Sequence, residues 1–145
     1  MASTMIRQFA IALLIAGTLG GCGILGGSSR SADDRFARPD HPRDSPSGHY
    51  TASVDLGRNQ NGVDTWVAVI RNNTTGTEVF RDPYAYSTRH GIGITWLSTN
   101  DQLWLLSGDV GTSYVDRQPD ETWVKTNIYP ETAGDIPEEI NALIE

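Results

Sequence analysis

The side chains best suited to chemistry are few and scattered along the chain. Arg89 and His90 sit together in a stretch, 82–91, that also carries Tyr84 and Tyr86. An imidazole beside a guanidinium and two phenols is a combination able to hold an anion or relay a proton. No second histidine stands beside His90 and no partner carboxylate is evident from spacing, so solvent exposure is the commoner role for such a loop histidine. Ser107-Gly108-Asp109 lacks the Gly-x-Ser-x-Gly elbow that presents a nucleophilic serine on a strained turn. Asp101, Asp109, Asp116, Asp120 and Glu121 lie near successive turns, a placement compatible in principle with Ca²⁺. They lack the spacing of a calcium loop, and carboxylates at turns have their own local hydrogen-bonding role. No metal, no cofactor and no catalytic residue is expected.

The remaining reactive group, Cys22, is the only cysteine of the chain and closes a distinctive segment. Arg7 supplies a positive n-region, residues 9–16 form an uncharged apolar run, and residues 17–21 are small or flexible enough for peptidase access. The apolar run is shorter than the roughly 20 residues that span a bilayer, so a removed signal is expected over 1–21 rather than a permanent span. Leu19-Gly20-Gly21-Cys22 resembles the lipobox of bacterial lipoprotein signal peptides. The resemblance implies a diacylglyceryl group on the Cys22 sulfur, cleavage before Cys22 and an acylated new terminus. Two or more acyl chains, palmitate among them, give stable membrane anchoring where one is marginal. Gly23 is not the Asp that often marks inner-membrane retention, so the expected location is the cell envelope: the outer membrane of a Gram-negative host, otherwise the outer face of the cell membrane. With Cys22 lipidated, no disulfide, thiolate metal site or cysteine nucleophile remains, and packing alone must hold the fold.

Removing residues 1–21 from the 145 leaves 124, enough for one small domain and a tail. The net charge of −7 becomes −8 once Arg7 is lost. From Ser98 onward ten acidic residues face only Arg117 and Lys125. Such a surface repels phosphate backbones, so nucleic acid is not an expected partner, whereas a cationic protein is compatible with it. Residues 22–48 open on Gly and Ser, then alternate charges around Pro39, Pro42 and Pro46. With so few apolar side chains to offset ordering entropy, this stretch is expected to be a disordered tether.

From residue 49 onward the pattern is that of short strands between turns. Strands are expected at 50–56, 63–71, 77–81, 93–97, 103–107, 112–117 and 122–128, separated by stretches such as Asn72-Asn73-Thr74-Thr75-Gly76. Seven short strands at this spacing point to an all-β, antiparallel domain over 49–145: a small sandwich or flattened barrel built from two meanders. A weak echo supports two units, with Asp64, Trp66, residues 75–77 and Arg81 matched by Asp101, Trp104, residues 110–112 and Arg117. Two units are too few to close a propeller. Trp66, Trp96, Trp104 and Trp123 all fall in expected strands and read as core. Toward the end, Asp135 stands three residues before Glu138 with Pro137 between, and Ile136, Ile140, Leu143 and Ile144 then share a face, so a helix over 136–144 is expected to pack on the sheet or cap it.

Residues 96–125, with LWLLSGDVGTSY at their centre, are similar to small uncharacterised β-rich envelope lipoproteins, a resemblance that brings no catalytic residues. Two functions follow. The first is a non-enzymatic, membrane-anchored lipoprotein whose β-domain binds a protein partner, in an inhibitor or immunity-type role, with Tyr84, Tyr86, Arg89 and His90 as candidate contacts. The alternative is a surface enzyme or small-ligand binder using the 82–91 loop, which requires that loop to border a cavity.

Overall fold

The computed structural model describes residues 32–145, and the lipobox, Cys22 and the signal segment lie outside them. Nine strands and one short helix follow in order: β1 (Arg43–Asp44), β2 (Tyr50–Leu56), β3 (Thr65–Asn72), β4 (Glu78–Arg81), β5 (Tyr86–Ser87), β6 (Ile92–Trp96), β7 (Leu103–Ser107), β8 (Gly111–Arg117), β9 (Trp123–Asn127) and α1 (Glu138–Asn141). Every pairing is antiparallel. One sheet runs β1-β2-β3-β4, with β5 on the same β3 that β4 borders; the other is the meander β6-β7-β8-β9. The two sheets form a β-sandwich that does not close into a barrel.

Period-two alternation sets the core. Ala52 and Val54 on β2 pair with Ile70 and Ala68 on β3. Ile94 and Trp96 on β6 pair with Leu105 and Leu103 on β7, which in turn places Leu103 opposite Val115 on β8. These residues, all buried, are the inter-sheet core, with Tyr86 and Ala37 added at its margins. A one-residue slip in any pair would turn this apolar set outward, so burial itself specifies the register.

β7 reads Leu-Trp-Leu-Leu because it is covered on both faces. Its outward residue Trp104, only 1% exposed, joins Leu97 and Ile140 in a second cluster, against which Ile128, Ile136 and Leu143 pack. The chain after β9 therefore makes a third layer over the second sheet. That layer differs from the helix expected over 136–144. Pro130–Asp135 is a 3-10 helix, Ile136 and Pro137 are extended, and α1 is a single turn. After it the bonding tightens to Leu143 N–H on the Ile140 carbonyl and Ile144 N–H on that of Asn141, so the apolar stripe is presented by linked tight turns. Among the described residues, no helix is long and apolar enough to cross a membrane.

The expectation of a disordered tether over 22–48 needs correction for its described part, 32–48, which is built into the domain. Ala37 is 1% exposed and its N–H reaches the Ile94 carbonyl at 2.7 Å, so this segment runs beside the edge strand β6. Trp96 donates its indole N–H to the Arg43 carbonyl at 2.8 Å, β1 pairs with β2, and Ser45 is buried. A segment with little apolar content is ordered here because it supplies backbone partners to an otherwise open sheet edge. Glu139 joins both ends of the domain to the β6–β7 turn, accepting from Ser98 N–H and pairing with Arg35.

The third layer gives a direct test. Ile140→Ala should lower the unfolding free energy by about 2–4 kcal/mol in urea titration, the range for emptying a fully buried aliphatic site. A loss below about 0.5 kcal/mol would mean that the terminal segment contributes nothing to the core.

Candidate functional site

Asp82 follows β4 directly, and its backbone N–H extends the ladder to the Ala68 carbonyl at 2.9 Å. This fixes the residue at the sheet edge and turns its carboxylate into the protein, where the side chain is fully buried. Three donor groups make four contacts with it. The Tyr84 N–H donates at 2.9 Å in a local Asx turn, the Tyr86 hydroxyl at 2.8 Å, and Lys125 Nζ approaches the two oxygens at 3.0 and 2.8 Å. Lys125 comes from β9 of the other sheet, 43 residues away, and its ammonium also donates to the Tyr86 oxygen at 2.6 Å. The Tyr84 ring stands edge-on to Tyr86 at 4.9 Å between centroids, and Nζ lies 5.1 Å from the Tyr86 ring centre.

The three ammonium hydrogens thus have three acceptor atoms within the cluster, and the tyrosine hydroxyl both donates and accepts. Burial, followed by the negative charge of Asp82 and its hydrogen bond, holds the Tyr86 phenol well above its ordinary pKa, against a smaller opposing effect from Ser113. A neutral phenol, a saturated carboxylate and a saturated ammonium form a closed unit with neither an activated nucleophile nor a free base.

Above this unit is a concavity of about 300 Å³ bordered by Tyr84, Tyr86, Ser113, Lys125, Asn127 and Tyr129. Val110, half exposed, and Tyr129, 55% exposed, form its outer rim with the exposed Tyr84. The structure therefore divides the four candidate contacts. Tyr84 is on the rim and Tyr86 is a buried part of the cluster. Arg89 and His90 are exposed on the 3-10 turn Thr88–His90, capped by the Ser87 hydroxyl, and His90 borders a different groove.

Asp82 and Lys125 were not candidates on sequence grounds. The available signals were the Asp-x-Tyr-x-Tyr spacing and the fact that Lys125 is the one lysine in the chain. Other reactive types serve turns. Ser107 Oγ accepts from the N–H groups of Asp109 and Val110 at 3.2 Å each, a turn-forming role. Asp120 accepts from both the N–H and the hydroxyl of Thr122, bonds that hold its carboxyl below the usual range. Among the described residues, no group of three or more potential metal-ligating side chains is gathered closely enough to hold an ion. Compared with known proteins, the chain has no significant match to a family profile, a curated protein or a solved structure.

Two outcomes follow from the closed cluster. Lys125→Met leaves a buried carboxylate uncompensated and should cost about 3–5 kcal/mol of stability, while Asp82→Asn combined with Lys125→Met should recover most of that loss. Denaturant titration of the three proteins decides it, and equal losses in the single and double variants would refute the pairing. The second concerns alkaline pH. Because the folded phenol is raised above about 10, the ordinary value, the unfolded chain releases this proton first. The Tyr86 contribution to stability is therefore full below pH ~10 and falls as pH rises beyond it. In an absorbance titration near 295 nm, one of the five tyrosines should ionise only with unfolding. Tyr86→Phe should remove that late fraction.

Proposed function

We propose that the protein is a non-enzymatic envelope lipoprotein, anchored through lipid on Cys22, whose β-domain captures a cationic protein partner in an inhibitor or immunity-type role. The observation that carries the reading is the rim formed by Tyr84, Val110 and Tyr129: among the described residues, three of the six exposed large apolar or aromatic side chains border one concavity. Tyrosines supply large contact area at low entropic cost and are enriched where interfaces concentrate their energy. Exposed Asp109 and Glu131 adjoin Val110 and Tyr129 in sequence, so the rim is flanked by negative charge suited to a basic partner. The charged cluster beneath is internally satisfied, which favours a role in supporting the rim over a role in chemistry.

The anchor and the capture face are tested separately. Cells expressing the wild-type chain and given labelled palmitate should incorporate label, whereas Cys22→Ser should abolish incorporation and move the protein out of the membrane fraction. Full-chain Cys22→Ser protein on a support should retain a basic protein from envelope extract in a salt-sensitive manner. Combining Tyr84→Ala with Tyr129→Ala should reduce that retention tenfold or more without lowering the melting temperature. Equal retention by the two proteins would remove the basis of the partner reading.

A further inference from the structure

An uncovered edge strand presents a row of unpaired backbone groups, and proteins usually blunt such edges. The β6 edge is covered through the Ala37 N–H, β1 and β5 are two residues long, and β4 has a register shift on its partner and charged ends, Glu78 and Arg81. The exception is β9, last in its sheet, five residues whose pairing with β8 runs without a shift. The flanking bonds, Gln118 N–H to the Thr122 carbonyl and Ile128 N–H to the Thr112 carbonyl, fix the alternation along it. Val124 and Thr126 exchange bonds with β8, and Trp123, Lys125 and Asn127 direct their N–H and C=O groups away from it. Among the described residues, no backbone partner meets those outward groups. Val124 is 42% exposed, and Thr126 and Asn127 are exposed, so this strand is open to solvent. An inward-pointing lysine ordinarily blunts an edge, but Asp82 neutralises the Lys125 ammonium and holds it inside.

We infer that β9 receives an extended segment of a basic partner as an added antiparallel strand. This deepens, and rests on, the reading that the domain captures a cationic protein. Residues of the segment opposite Trp123, Lys125 and Asn127 exchange backbone bonds with them. Their side chains then fall on the same side as that of Lys125, toward the concavity bordered by Tyr84, Asn127 and Tyr129. A guanidinium suits that position because it stacks on tyrosine rings. Charge agrees: exposed Asp120 and Glu121 directly precede the strand, and exposed Glu131 follows it. The intervening residues of the segment pair with Val124 and Thr126 on the outer face, where β-branched apolar side chains fit best. The recognised segment therefore alternates arginine with valine or isoleucine. A second copy of this chain fits less well. Antiparallel pairing of β9 with itself about Lys125 brings Asp120 and Glu121 of one copy toward Glu131 of the other, and like charges oppose the association.

The probe is a fluorescein-labelled heptapeptide of valine alternating with three arginines, titrated into full-chain Cys22→Ser protein by fluorescence anisotropy. Two further peptides of the same charge separate strand addition from general attraction. N-methylation of the arginines removes the N–H groups that face β9 and should weaken binding tenfold or more. N-methylation of the valines, whose N–H groups face solvent, should leave it within about twofold. Asn127→Pro removes one outward donor at an exposed edge position, where proline is tolerated, and should weaken the unmodified peptide at least tenfold with little change in melting temperature. Should that variant fail to fold, the methylated pair decides the matter on the unaltered β9. Equal affinity of the two methylated peptides, the reverse order, or no saturable binding of the unmodified one would overturn the inference. So would a dimer that Asn127→Pro dissociates, since it assigns the edge to a second copy. Failure here is separable from failure of the partner reading. Methylated peptides that bind alike, beside tyrosine-dependent retention of a basic envelope protein, remove strand addition and leave the partner. Discriminating peptides with no retained protein leave the peptide-binding edge and remove the partner.

Discussion

A carboxylate without solvent contact must be neutralised and fully hydrogen-bonded, and Asp82 imposes that requirement on the region where the two sheets meet. Its backbone belongs to the edge of the first sheet through Ala68, while the cation that compensates it belongs to β9 of the second. The Coulombic attraction does not make such a pair strongly stabilising, because desolvation of both ions offsets much of it. Its effect is on arrangement: any relative shift of the sheets that separated Nζ from the carboxylate would expose a large penalty. The same pair fixes Tyr86 in place, and Tyr86 in turn supports the exposed ring of Tyr84. Surface chemistry at the rim is thereby coupled to a buried ionic contact.

On the far side of the molecule a different constraint operates. The edge of β6 is covered by the segment leading into the domain, and the outer face of the second sheet is covered by the segment leading out of it. Glu139 and Arg35 bring these two segments together. With no disulfide in the described residues, these coverings and the inter-sheet core supply the packing that makes the sandwich compact.

Much of this was legible in the sequence, and the physical reasons for the exceptions are specific. β2 and β7 coincide with their expected spans, and the other five long strands agree within two residues, because alternation and turn residues are local signals. β1 and β5 have two residues each and exist only through pairing with β2 and β3, so no local period announces them. The segment 32–48 looked like a tether since composition registers apolar content and not the backbone bonds an open sheet edge will accept. The echo of Trp66 and Trp104 correctly separates two sheets, yet the two rings face different layers, one toward the inter-sheet core and one toward the terminal layer. Tyr84 and Tyr86 stood out through proximity in the chain. Asp82 and Lys125 did not, because their association depends on the stacking of the sheets and has no counterpart in spacing.

The central claim is that the Asp82, Tyr86 and Lys125 cluster is closed, with every ammonium hydrogen already engaged. Since Lys125 is the one lysine of the chain, selective ¹⁵N labelling of lysine gives a single ammonium resonance with no assignment ambiguity. The account predicts an observable, slowly exchanging NH₃⁺ signal at neutral pH, lost in Asp82→Asn. An ammonium exchanging with water as fast as a free lysine would contradict it and would return Lys125 to solvent as a group available for ligand or chemistry.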